Sequence, residues 1–200
     1  SIDGDFADDL AYRGKAFQLG VDAVFPVPGT GKIRGVVELD NQLIAFRDDG
    51  DRCGAFISSD NSWTVAQATY IAKLKNLVKP ENLLDNSDFT SGNVRGVIHS
   101  VSLAPDSKSG YVVLSQSVLA NQPLQINSTT VATIEKCDRV SLTKGKDWHF
   151  IYHNFYGGSN THYAYGCNGE QIIEVRPNGI IIPILVNNDS PQYICAHRNH

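Results

Sequence analysis

Between residues 35 and 67 short apolar runs alternate with polar turns. Gly35–Leu39, Leu43–Arg47 and Cys53–Ser58 are separated by Asp40-Asn41 and by Asp48-Asp49-Gly50-Asp51, and Asp60-Asn61-Ser62 precedes Trp63. Gly, Asn and Asp accept the positive φ that tight hairpin turns demand, so this pattern predicts an antiparallel β-meander of three or four strands. The period then changes. Ala66, Tyr70, Ile71, Leu74, Leu77 and Val78 recur at steps of three and four, with Lys73, Lys75 and Asn76 between them. That spacing predicts an amphipathic helix over 65–78, stopped by Pro80, its apolar face covering the adjacent sheet.

Strand patterns return after Pro80, at Val97–Leu103, Tyr111–Leu119, Thr130–Glu135, Arg139–Leu142, Trp148–Tyr156, Gln171–Val175 and Gly179–Val186. The turn signals between them are Pro105-Asp106, Lys144-Gly145, Gly157-Gly158-Ser159-Asn160 and Pro177-Asn178-Gly179. Short strands with such punctuation predict a β-sandwich of jelly-roll type. Pro183 cannot donate to a ladder, which marks its strand as an edge or a break. The expected class is mainly β: residues 1–79 form a meander plus helix, and residues 80–200 form a sandwich. The acidic stretch Asp3–Asp9 and the mixed run Leu10–Leu19 suit an arm or a short helix.

The chain has 200 residues, 17 basic and 21 acidic, for a net charge of −4. No basic face or basic block is present, so nucleic acid is not an expected partner. Apolar runs are too short for a helical membrane span, and membrane insertion is not expected. Met is absent, Ser1 included. Either an initiator was removed or the chain is a processed piece.

The four cysteines, Cys53, Cys137, Cys167 and Cys195, form no Cys-x-x-Cys. Separate buried thiols are expected ahead of disulfides, because a chain of this size can build a core without staples. Asn127-Ser128-Thr129 is a glycosylation sequon in form only, as is Asn188-Asp189-Ser190 before Pro191.

Several motifs fail on chemistry. Around Gly31-Lys32, the places that a phosphate loop reserves for its first Gly and its hydroxyl hold Pro26 and Ile33. The Asp48–Asp51 cluster lacks the alternating ligands and closing Glu of a calcium loop. His149 and His153 share a face in either a helix or a strand, but no third ligand is suitably spaced. No metal and no cofactor is expected. No Gly-x-Ser-x-Gly elbow is present. Asp138, Asp147, Glu170 and Glu174 are the carboxylates from which a glycoside hydrolase would draw a pair.

The strongest binding candidate is the aromatic and amide cluster Trp148, Tyr152, Asn154, Tyr156, Asn160, His162, Tyr163 and Tyr165, closed by Asn168. Rings stack on the apolar faces of sugars, while amides and hydroxyls bond to their edges. The Gly157–Asn160 loop gives such a surface room to adapt.

Pro80-Glu81-Asn82-Leu83-Leu84-Asp85-Asn86-Ser87-Asp88-Phe89 resembles a stretch that recurs in bacteriophage and prophage tail proteins, where it opens a β-rich C-terminal domain. Gly35–Thr64, with Leu43–Asp48 as middle strand, is similar to short meanders in the same proteins. Together these cover about 40 of the 200 residues. Ser58–Thr64 also resembles the Asp-box turn of sialidase-like propellers. Its Trp63 comes too soon, however, its Gly is missing, and one meander cannot close a propeller of about four or more blades. No sialidase activity is carried over. The tail-protein resemblance implies a non-enzymatic virion component: tail, fibre, spike or decoration. It would be a homo-oligomer, a trimer by the logic of avidity, and would contact other virion proteins and a host surface glycan. The alternatives are a secreted carbohydrate-binding module or adhesin fragment, and a small glycan depolymerase.

Overall fold

The computed structural model describes residues 25–60, 62–184 and 190–196. The Asp3–Asp9 and Leu10–Leu19 segments, and the second sequon, fall outside them. Among the described residues, fourteen strands and two short 3-10 turns make up the regular structure, and all strand pairs are antiparallel. The mainly-β class is therefore observed.

The first sheet is the expected meander: β1 (Ile33–Leu39), β2 (Gln42–Asp49), β3 (Arg52–Ser59) and β4 (Ser62–Val65), in that order. Asp40 and Asn41 both take positive φ, at 49° and 61°, which closes the two-residue β1–β2 hairpin. Cys53 and Ala55 bury one side of β3, Phe56 is buried on the other, and Ile44 and Phe46 fill the centre of β2.

The helix expected over 65–78 does not form. Tyr70–Lys75 is a strand, β5, instead. Ala72 and Leu74 are fully buried, whereas Ile71, Lys73 and Lys75 are only half-buried. The operative period is two. Tyr70 and Leu74 satisfy both a four-residue helical step and a double strand step, and small Ala72 between them completes the core face. Asn76, at φ 52°, ends the strand.

β5 belongs to a closed six-stranded barrel with β6 (Asp88–Ser91), β7 (Val94–Leu103), β8 (Gly110–Leu114), β9 (Pro123–Ile126) and β10 (Thr129–Arg139), in the order β10-β5-β8-β7-β6-β9. Closure is made at Thr90 opposite Gln125. Register shifts between Ile98 and Ser100, between Thr130 and Ala132, and between Ile134 and Lys136 bend the long strands round so few positions. Leu74, Ile98, Val112, Leu114, Leu124, Val131 and Ile134 fill the interior. Leu83, which follows the 3-10 turn Pro80–Asn82, packs into this core. Asn127 and Ser128, both at positive φ, are the β9–β10 hairpin turn.

The last sheet is β11 (His149–His153), β12 (Tyr163–Cys167), β13 (Ile172–Arg176) and β14 (Ile180–Ile184), again in sequence order. β14, the strand with Pro183, is an edge, as its proline requires. This sheet packs on the first one. Val37, Ile44 and Phe46 share a core with Trp148, Ala164, Ile173 and Val175. The rings of Phe46, Trp148 and Phe150 lie 5.1–5.9 Å apart. Phe150 fits because Gly35 and Gly166 offer no Cβ where its ring passes.

Two four-stranded sheets thus share one core, but residues 80–200 do not build both of them. The two sheets come from before and after the barrel. The chain leaves the sandwich through residues 66–69 and returns at Val140, whose N–H donates to the Thr69 carbonyl (2.9 Å). The boundary expected near Pro80 lies between β5 and β6, within the barrel's own run of strands. Strands β6, β9 and β12 carry no strong sequence pattern of their own.

Candidate functional site

In the last sheet, alternation sends Ile173 and Val175 into the sandwich core and Ile172, Glu174 and Arg176 to the opposite face. Register puts Tyr165 opposite Glu174, and Glu174 opposite Ile182, on that same face. A charged pair at i, i+2 on the back of a sheet is normally solvated. Here the barrel covers it: Glu174 and Arg176 are 4% and 6% exposed.

The buried charges are bonded. Arg176 Nε donates to Glu174 Oε1 (2.6 Å), and its Nη1 donates to the backbone carbonyl of His99 (2.8 Å). Its Nη2 lies 3.8 Å from Asp85 Oδ2. Tyr156 donates its hydroxyl to Glu174 Oε2 (3.1 Å). The guanidinium sits 5.1 Å from the Tyr163 ring centre and 6.0 Å from that of Tyr156. His99 is the extra residue of the β7 bulge, so the bulge aims a carbonyl at Arg176. Burial opposes the charge on Arg176, but the Glu174 carboxylate outweighs it and the pKa is raised. Burial also raises the pKa of Asp85 and lowers that of His99, the latter with help from Arg176.

Beside this network a cavity of about 590 Å³ opens between barrel and sheet. Its barrel wall is Ile71, Ser100, Ser102, Tyr111 and Val113, and its sheet wall is built on Tyr165, Ile172, Glu174 and Ile182. Phe155 and Tyr156, from the β11–β12 loop, close one end. The volume lies within the range of about 300–1,000 Å³ usual for small-molecule sites. Tyr165 is 3% exposed. Burial, with the neighbouring Glu174 carboxylate, raises its pKa. Its hydroxyl nevertheless finds no hydrogen-bond partner.

The structure divides the predicted aromatic cluster. Tyr156, Tyr163 and Tyr165 converge on the Glu174–Arg176 pair. Trp148 is 8% exposed and belongs to the sandwich core, so it is not available to a ligand. Tyr152 is exposed but points away from the cavity, its hydroxyl accepting from the Glu38 N–H (3.0 Å) on β1. Asn154 organises the loop: its Oδ1 accepts from Gly157 N–H and Thr161 Oγ1, and its Nδ2 donates to the Gly158 carbonyl. Asn160 and His162 are exposed along the same loop. Asn168 is buried, and its Oδ1 ties down the Glu170 and Gln171 N–H groups. Arg176, Phe155 and the whole barrel wall were not among the predicted residues. The available signal was the Glu174-x-Arg176 pair inside an isoleucine-rich run.

His149 and His153 do share a face. His149 meets the Tyr193 ring edge-on, and His153 lies 4.0 Å from the Phe155 ring centre. Among the described residues no group of three or more His, Cys, Asp or Glu could hold a metal ion, and no helix is long and apolar enough to cross a membrane. All four cysteines are free; Cys53 and Cys167 are buried and Cys195 is exposed. Burial pushes the Cys53 thiol up to about 11.

The Asp48 carboxylate, read from sequence as part of an ordinary turn, is 2% exposed. Both Arg34 Nε and Nη2 donate to its Oδ2 (2.8 and 2.6 Å), and Gly145 N–H donates to Oδ1 (3.0 Å). The Arg34 guanidinium holds its pKa low. It pins the returning chain to the first sheet.

Comparison with family models, with curated proteins and with solved structures returns no match for this chain.

Proposed function

We propose that this chain is a structural and receptor-facing component of a bacteriophage virion, with the β11–β12 loop region as its contact for a host surface glycan. The observation that carries the binding part is the pair of exposed rings on the β11–β12 loop, Phe155 and Tyr156, 50% and 54% exposed, on a turn braced by Asn154. Exposed rings on a braced loop offer stacking area at little entropic cost. The tail-protein resemblance of Pro80–Phe89 and Gly35–Thr64 supports the virion part. Homo-oligomerisation, with a trimer as the simplest arrangement, would multiply weak contacts without changing any of them.

The secreted carbohydrate-binding module uses the same rings and differs in oligomeric state. The depolymerase reading has less to support it. Asp138, Asp147, Glu170 and Glu174 each bind a cation, Lys136, Arg34, Lys146 and Arg176 respectively, at 2.6–3.0 Å. Only Glu174 of the four lines the main cavity.

Light scattering of the purified chain is the first test. A stable multiple of 21.9 kDa supports the virion reading, and a clean monomer turns it toward the free module. A glycan panel then tests the surface: Tyr156→Ala should abolish retention, whereas Trp148→Ala should act through stability alone.

A further inference from the structure

The cavity between barrel and sheet differs in chemistry from the ring-bearing loop at its end. Ile71, Val113, Ile172, Ile182 and Ile184 make most of its surface aliphatic. Its polar groups are hydroxyls, those of Ser100, Ser102, Tyr111, Tyr156 and Tyr165, plus one carboxylate. Among the described residues no Lys, Arg or His lines it. The carboxylate, Glu174, is already balanced by Arg176 at 2.6 Å. An anion would meet Glu174 with no free cation among the described residues to receive it. A cation would have to compete with a bonded, buried guanidinium. A fully polar sugar would lay its hydroxyls on isoleucine. The Tyr165 hydroxyl is buried at the wall of this cavity beside the Glu174 carboxylate and makes no well-formed hydrogen bond among the described residues, and such a group costs free energy until something bonds to it.

We propose that the barrel–sheet cavity binds a neutral amphiphile, an aliphatic chain carrying an uncharged hydroxyl-bearing head, with Tyr165 hydrogen-bonding the head and the isoleucines holding the chain. The proposal deepens the receptor-facing reading, on which it rests for placing the ligand at this surface, by giving the receptor an acyl or alkyl part beside its sugar. Alkyl glycosides and glycolipid headgroups share this chemistry.

The test uses the full chain with isoleucine δ1-methyl labels, titrated with octyl β-glucoside below its micelle concentration. The Ile172, Ile182 and Ile184 methyls should shift, and those of the core residues Ile44 and Ile98 should stay. Butyl glucoside should bind more than about tenfold more weakly, since each methylene is worth roughly fourfold. Ser102→Trp, which fills the cavity from an exposed barrel position, should weaken binding by at least about tenfold. Tyr165→Phe should weaken it by about three- to tenfold while leaving the fold intact. Equal binding of octyl sulfate or octyltrimethylammonium overturns the neutral head. Equal binding of butyl and octyl glucoside, silent methyls, or indifference to both substitutions overturns the site. The two readings fail separately. Silent methyls with Tyr156-dependent retention on the glycan panel leave the loop reading standing. Shifting methyls with a silent panel leave the amphiphile site standing without a receptor role.

Discussion

Arg176 of β13 donates to the backbone carbonyl of His99 of β7 across 2.8 Å, and this bond joins the sandwich to the barrel. The same guanidinium neutralises Glu174, which in turn receives the Tyr156 hydroxyl. One side chain therefore ties the position of the exposed loop to the way the two units are docked. The cavity, whose walls come from both units, depends on that docking.

Replacing Arg176 with Met should destabilise the protein by about 3–5 kcal/mol, because it strands the Glu174 carboxylate in a buried site. The double variant Arg176→Met with Glu174→Gln should recover most of that loss, since no unpaired charge remains. Urea unfolding of the two variants checks this. Equal stability of single and double variants would mean that the pair is not the source of the cost.

The strands most legible in the sequence are those whose turns demand particular residues. Asp40-Asn41 and Gly50 marked the turns of the meander, and Pro183 marked an edge or a break in a strand that is an edge. The misread segment was Tyr70–Lys75, where alternate burial coincided with helical steps. The barrel was not legible because its strands are closed by non-local pairs, such as Thr90 with Gln125, that leave no local pattern. The candidate site was half legible. Tyr156, Tyr163 and Tyr165 stood out by type. The burial of Glu174 and Arg176 depends on a barrel that inserts between two halves of a sandwich, and spacing along the chain does not carry that information. Trp148 shows the converse: a ring in a promising cluster is still most stable in the core.

Leu74→Ala tests the reassignment of 65–78. As a fully buried barrel residue, Leu74 should cost about 2–5 kcal/mol on truncation. Lys73, its half-buried outward neighbour, is paired with Glu135 at 2.8 Å and should lose no more than about 1 kcal/mol on truncation to Ala. Chemical denaturation reads both. A helix with Lys73 and Leu74 equally tolerant would contradict the strand.

Thiol reactivity should rank by burial. At pH 8 a thiol with its pKa near 11 is about one part in a thousand thiolate, so Cys53 should resist iodoacetamide in the native protein. Cys167, also raised by burial, should resist with it, and exposed Cys195 should be labelled first. Peptide mapping after timed alkylation gives the order. Early labelling of Cys53 would mean that the sandwich core opens far more readily than its packing implies.

Acid should loosen the junction through His99. Burial, reinforced by Arg176, lowers its pKa below the ordinary 6.5, so the folded protein holds this imidazole neutral. The unfolded chain takes up a proton at 6.5 and the folded one only at lower pH. Between those two values the unfolded state binds more protons, and stability must fall as pH falls. The contribution is fully present above 6.5 and is lost on descending toward the folded value. Asp85 works in the opposite sense at lower pH, because its raised pKa makes the folded state the better proton acceptor there. The two groups therefore separate by pH window. His99→Gln, which keeps a neutral polar side chain at the bulge, should flatten the stability profile on descending below 6.5, where the imidazole otherwise destabilises the fold, and leave the steeper carboxylate region at still lower pH unchanged. Thermal melts across that range, with the wild-type chain alongside, measure the difference directly; parallel profiles for the two proteins would place the pH sensitivity elsewhere than at the barrel–sheet junction.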